Sequence, residues 1–216
     1  MNITLLFDVF LHLDRHLNVI ISDYQIWTYA ILFIIIFLET GLVVTPFLPG
    51  DSMIFAVGAI CAAGSILRAP LLLPLLCLAA VAGDTANYHI GHHLRGRVQD
   101  RNLRFIKWEY IERTQAFFRR HGGKTITIAR FVPIIRTFAP FVAGVSEMPY
   151  RRFLAFNLAG GVAWVSLMFG IGYFFGNIPY VKDHFGLIVI AIIAVSVIPA
   201  AIALIQNRMH RAAPEL

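Results

Sequence analysis

The chain has 216 residues, 58% hydrophobic and only 14% charged, with a mean hydropathy of +0.73. These values place it among membrane proteins, and its length leaves no room for an additional soluble domain of ordinary size beside a membrane bundle. The net charge of +6 is concentrated between two apolar segments, where membrane orientation explains it better than nucleic-acid binding.

Residues 2–21 put Leu6, Val9, Leu13, Leu17 and Ile20 on one helical face. No basic stretch precedes them and no small-residue cleavage site follows. The segment therefore reads as an interfacial amphipathic helix rather than a signal peptide. Ile26 to about Val44 is long enough to span and carries Glu39.

Residues 45–67 are also apolar, but Pro46, Pro49 and Gly50 interrupt their start. Proline removes a backbone donor and clashes with the preceding turn, which argues against a straight spanning helix. Backbone that leaves the helix inside a bilayer must be shielded by protein or line a cavity, and a re-entrant hairpin meets that demand. Residues 70–90 form the second span. The stretch 92–124 is basic, from Arg95 to Lys124, and is expected in the cytoplasm, where anionic headgroups attract it.

Residues 125–147 repeat the broken pattern, with Pro133, Pro140, Arg130 and Arg136. Two spans follow, about 153–176 and 185–206. The expected architecture is all-α: one domain over 1–216, with four transmembrane helices and two re-entrant segments in an inverted repeat. Both termini are then cytoplasmic. Phe47-Leu48-Pro49 and Phe131-Val132-Pro133 are each followed about ten residues later by Gly-Ala or Ala-Gly, a faint echo of that repeat.

Charges inside such segments cost about 2.5–3.5 kcal/mol each at the bilayer centre, so they mark interior or functional positions. Paired broken segments point to a transporter's binding site. Asp51 follows the turn-forming Pro49-Gly50 pair and is placed at a hairpin tip or half-helix start, where the helix dipole welcomes a carboxylate. Removal from water favours its neutral form instead. Together with Glu39, it has the properties of a proton-coupling group; the alternative is that both acids only neutralise Arg130 and Arg136. Arginine grips phosphate bidentately, so Arg130 and Arg136 are the expected anion ligands, unless they snorkel to the interface. Asp84, Pro49, Gly50 and Pro133 are expected to support the site.

His89 and His93 have the spacing of a metal pair, but no third ligand or HExxH motif accompanies them, so no metal and no cofactor is expected. Cys61 and Cys77 lie in apolar runs without a CxxC pair and read as packing residues. Gly160, Gly161, Gly170, Gly172 and Gly176 allow close helix approach. Trp27, Tyr29, Trp164, Tyr173 and Tyr180 read as span-end or packing aromatics. There is no Gly-x-Ser-Gly nucleophile, and Gly83-Asp84 lacks the partner motif of an intramembrane aspartyl protease. The chain is not read as an enzyme.

Five blocks carry a family resemblance: Phe-Leu-Glu-Thr-Gly at 37–41, Thr-Pro-Phe-Leu-Pro-Gly-Asp-Ser at 45–52, Gly-Asp-x-x-Asn-Tyr-x-x-Gly at 83–91, His-Gly-Gly-Lys-Thr at 121–125, and Ala-Arg-Phe-Val-Pro-Ile-Ile-Arg-Thr-Phe-Ala-Pro-Phe-Val-Ala-Gly at 129–144. In this order they resemble the DedA family of bacterial inner-membrane proteins, within the VTT (SNARE-associated) superfamily. The resemblance implies a transporter or flippase recycling undecaprenyl phosphate in the inner membrane, coupled to proton-motive force and supporting envelope integrity. It carries the family's functional acids to Glu39 and Asp51 and its arginines to Arg130 and Arg136. The implied partners are an anionic lipid carrier or other anionic phospholipid, protons, membrane lipids and a second copy of the chain. A proton-coupled antiporter or drug exporter, and a phospholipid scramblase, are the alternative readings.

Overall fold

In a computed structural model the described residues are 23–42, 50–96 and 108–179, with positions 181, 188 and 191. The expected amphipathic helix at 2–21, the Pro46–Pro49 break, residues 97–107 and nearly all of the expected span at 185–206 lie outside them. Every element among the described residues is helical.

The helices are α1 (Trp27–Gly41), α2 (Gly50–Ala62), α3 (Ala69–His93), α4 (Trp108–His121), α5 (Thr125–Ala129), α6 (Pro133–Val145) and α7 (Tyr150–Phe175), with a 3-10 turn at Gly122–Lys124 between α4 and α5. At 1.5 Å per residue, α3 and α7 reach about 37 and 39 Å, enough to cross a hydrocarbon core of about 30 Å. The same rise makes α2 and α6, with 13 residues each, only about 20 Å long. Over their described residues, neither reaches that thickness.

Burial separates their roles further. Every residue of α2 from Ser52 to Cys61 is buried, which makes it an interior helix of the bundle. On α7, by contrast, Leu158, Val162, Leu167, Ile171 and Phe174 stay exposed. Leu158 and Val162 lie on one face and Leu167, Ile171 and Phe174 on nearly the opposite one, two apolar patches suited to lipid.

Each short helix packs on a long helix from the other half of the chain: α2 against α7, and α6 against α3. The two crossings are built alike. A Cβ added at Gly58 would meet the Phe169 carbonyl oxygen, and one at Gly172 the Phe55 carbonyl oxygen. In the other crossing, a Cβ at Gly144 would meet the Tyr88 carbonyl oxygen and one at Gly91 that of Phe141. An aromatic-x-x-glycine unit thus occurs on all four helices. Each glycine brings its backbone onto the carbonyl of the partner's aromatic residue, the close approach that small residues permit in membrane bundles.

These contacts refine the expected role of the glycines. Gly160 and Gly161 make room for Arg130 rather than for a neighbouring helix backbone alone, and nothing lies within 4 Å of a Cβ placed at Gly170. Overpacking a tight site costs about 1–3 kcal/mol. Gly172→Ala is therefore expected to lower the melting temperature of the detergent-purified protein by several degrees, whereas Gly170→Ala leaves it unchanged. Thermal unfolding followed by circular dichroism checks both.

The second broken segment departs from expectation in one respect. Its chain break falls at residues 130–132, between α5 and α6, and α6 runs on through Pro140. Pro133 stands in the first turn of α6, where the missing amide hydrogen removes no helical bond. Pro133 thus starts a helix at the break.

Candidate functional site

Helix ends and their neighbours deliver the charges to one place. Glu39 lies two residues before the end of α1, and Asp51 sits in the first turn of α2. Arg136 occupies the first turn of α6, and Arg130 lies at the break just before it. Asp84 comes from the middle of α3. Asn157 and Trp164 come from α7, seven residues apart and hence on the same face.

Arg136 is the hub of one half of the cluster. Its Nη1 donates to both Asp51 carboxylate oxygens at 3.0 Å, and its Nη2 donates to Glu39 Oε1 at 3.3 Å. Arg130 is the hub of the other. Its Nη2 donates to Asp84 Oδ2 and to Asn157 Oδ1, the latter at 2.6 Å. Asn157 in turn donates from Nδ2 to the Val81 carbonyl at 3.0 Å. The Trp164 ring is shared: the Arg136 Cζ lies 4.5 Å from its centroid and the Arg130 Cζ 5.8 Å, both within cation–π range.

Exposure distinguishes the two halves. The side chains of Arg130 and Asp84 are 6% and 7% exposed, against 15% and 14% for Arg136 and Asp51. The Arg136 side is the more open one. Three buried polar atoms in or beside the cluster have no hydrogen-bond partner among the described residues: Arg130 Nε, Asn87 Oδ1 and Trp164 Nε1. Such atoms are rare in folded interiors.

Glycines set the spacing here too. A Cβ on Gly50 would overlap the Glu39 carboxylate, and one on Gly83 would strike the Thr40 side chain. Gly50→Ala is therefore expected to push Glu39 off Arg136 and to lower the melting temperature by several degrees while the chain still inserts. Comparing membrane yield with the thermal stability of the purified protein checks this. Asn87 ties the neighbouring backbone, donating from Nδ2 to the Thr137 carbonyl at 2.9 Å and the Thr40 carbonyl at 3.4 Å. It thereby joins the residues that directly follow Arg136 and Glu39.

Among the sequence candidates, Glu39, Asp51, Arg136, Arg130 and Asp84 come together, and Gly50 packs on Glu39. Pro49 lies outside the described residues. Pairing is more selective than expected, because Glu39 and Asp51 both go to Arg136 and Arg130 takes Asp84. Asn157 and Asn87 had no assigned role, and Trp164 proves to be the fully buried surface beneath both guanidiniums. The signal available for Asn157 was a lone amide in an apolar span, three residues before Gly160-Gly161. His93 Nδ1 lies 2.8 Å from the His89 carbonyl oxygen, so its spacing serves a turn of helix.

A model of the VTT domain matches residues 48–174, which takes in α2 through α7 and all of the cluster except Glu39. Protein DedA of Escherichia coli is 46% identical over 205 residues, covering 94% of each chain. The chain belongs to the DedA family. An uncharacterized membrane protein of Mycobacterium tuberculosis is 42% identical over 185 residues, covering 84% of this chain and 81% of the relative. The inner membrane protein YghB of Escherichia coli is 36% identical over 157 residues, covering 72% and 71%. No solved structure matches. As a DedA-family member the chain is a membrane protein, and α3 and α7 are its two described helices of spanning length.

Proposed function

We propose that this chain is a bacterial inner-membrane transporter that moves undecaprenyl phosphate, an anionic lipid carrier, between leaflets in a step coupled to protons. One observation carries the reading: Arg136, in a partly open position, holds two carboxylates at once. A guanidinium that grips carboxylates in a fork grips phosphate oxygens in the same way. Phosphate replaces the acids on Arg136, and protons taken up by Glu39 and Asp51 compensate the displaced charge. Glu39 depends on that compensation most, because it lies near the end of α1 where the helix dipole opposes a negative charge. The isoprenoid tail stays in lipid.

In this reading the described helices belong to a bundle of four spans, with the segments at 45–67 and 125–147 re-entering from opposite sides. Two features support it: the shortness of α2 and α6, and the two alike crossings that join each to the opposite half. The basic segment containing α4 is cytoplasmic by its lysines and arginines, and both termini are on the same side.

Reconstitution tests the function. Purified protein in proteoliposomes is expected to move labelled undecaprenyl phosphate across the bilayer, and Glu39→Gln to remove that movement. Proton flux that proceeds equally well without the lipid would favour an ion antiporter instead.

A further inference from the structure

The two arginines share Trp164 but differ in what holds them. Arg130 is sealed, paired with Asp84 from α3 and with Asn157 from α7. Asn157 is itself fixed at its other end by the Val81 carbonyl. The Arg130 stem lies on the glycine surface of α7, where a Cβ on Gly160 would come within 3.2 Å of Arg130 Cδ and one on Gly161 within 3.3 Å of Nη2. One guanidinium and one carboxylate balance in charge here, whereas Arg136 faces two acids in a more open position.

We propose that Arg130 is a positioning residue. With Asp84 and Asn157 it forms a closed, charge-neutral clasp between α3 and α7 that fixes the Trp164 ring beneath Arg136, and the lipid phosphate meets Arg136 alone. This rests on the anionic-lipid reading of the site, and it departs from the sequence expectation that both arginines hold phosphate. The physical basis is an asymmetry of buried ion pairs. Removing one partner strands a charge in a dry interior, whereas replacing both with hydrogen-bonding neutral groups costs little.

The test uses the full chain with Arg130→Gln, Asp84→Asn and the double variant, each reconstituted with labelled undecaprenyl phosphate at several lipid fractions. Each single change is expected to lower the melting temperature by several degrees and the transport rate by about tenfold or more, as a stranded buried charge requires. The double variant regains the melting temperature and recovers to within about threefold of the wild-type rate, with the half-saturating lipid fraction unchanged, because coupled residues are not additive. Trp27→Phe and Trp108→Phe leave Trp164 as the one tryptophan of three. In that background its emission shifts in each single variant and returns in the double.

Three results would overturn the clasp. One is a double variant that fails to regain its melting temperature. Another is a double variant that regains it while needing about tenfold more lipid for half-saturation, the mark of a lost direct phosphate contact. The third is an Asp84→Asn variant that binds lipid more tightly than wild type, as a released phosphate ligand would. If the wild-type protein moves no phosphate lipid at all, the lipid reading fails. The melting temperatures and Trp164 emission then still decide the clasp.

Discussion

Arg136→Gln is expected to abolish transport and to destabilise the protein by about 3–5 kcal/mol, the usual result of removing one partner from a buried ion pair. Both effects follow from geometry: the variant leaves Asp51 and Glu39, which now share three hydrogen bonds from one guanidinium, without their counter-charge. Adding Asp51→Asn to Arg136→Gln should restore part of the stability, since one stranded carboxylate disappears, but none of the transport. Arg136→Lys is expected to insert well and still transport poorly. An ammonium is a point charge and cannot span two acids as the planar fork does. Thermal unfolding in detergent, paired with transport in proteoliposomes, separates the stability effect from the functional one.

Trp164→Ala is expected to have the next largest effect. Trp164 is completely buried, and truncating such a residue costs about 3–5 kcal/mol through lost burial and the cavity left behind. The cavity would open between Arg130 and Arg136, removing the ring face from both. Trp164→Phe keeps an aromatic face and fills most of the volume, so it should cost about 1–2 kcal/mol. Its Nε1 has no partner among the described residues, so losing that donor adds little to stability. A transport defect in Trp164→Phe larger than its stability loss would assign the indole N–H to the transported lipid. Melting temperatures and initial rates for both variants provide the comparison.

The location of the site was legible in the sequence because its elements break rules that lipid enforces. Prolines in apolar runs and charges at 39, 51, 130 and 136 stand out against a bilayer, and the helix ends occur where those residues lie. Pro49-Gly50 pointed to a hairpin tip or a half-helix start for Asp51, which lies in the first described turn of α2. Pairing was not legible. The break at residues 130–132 destroys helical periodicity between Arg130 and Arg136, so spacing could not tell which arginine faced which acid. Pro140 misled in the opposite direction, since a proline inside a buried helix is tolerated when neighbouring groups satisfy the freed carbonyl.

Asn157 and Trp164 were obscured for a different reason. Each is an ordinary residue of an apolar span until another helix brings a guanidinium against it. Apart from Gly170, the glycines are packing residues as expected, but their meaning is relational. Gly172 and Gly91 matter because of the carbonyls of Phe55 and Phe141, whereas Gly160 and Gly161 matter because of Arg130. The match between the two crossings becomes visible only when those partners are known.

The central claim is an exchange on Arg136 between carboxylates and a lipid phosphate, compensated by protons. Its most direct test is movement of labelled undecaprenyl phosphate across proteoliposomes under an imposed proton gradient, comparing wild type with Asp51→Asn at equal insertion. The account predicts that the gradient accelerates the wild-type protein and that Asp51→Asn moves the lipid no faster than protein-free vesicles. Transport by Asp51→Asn at the wild-type rate, with the same response to the gradient, would contradict it.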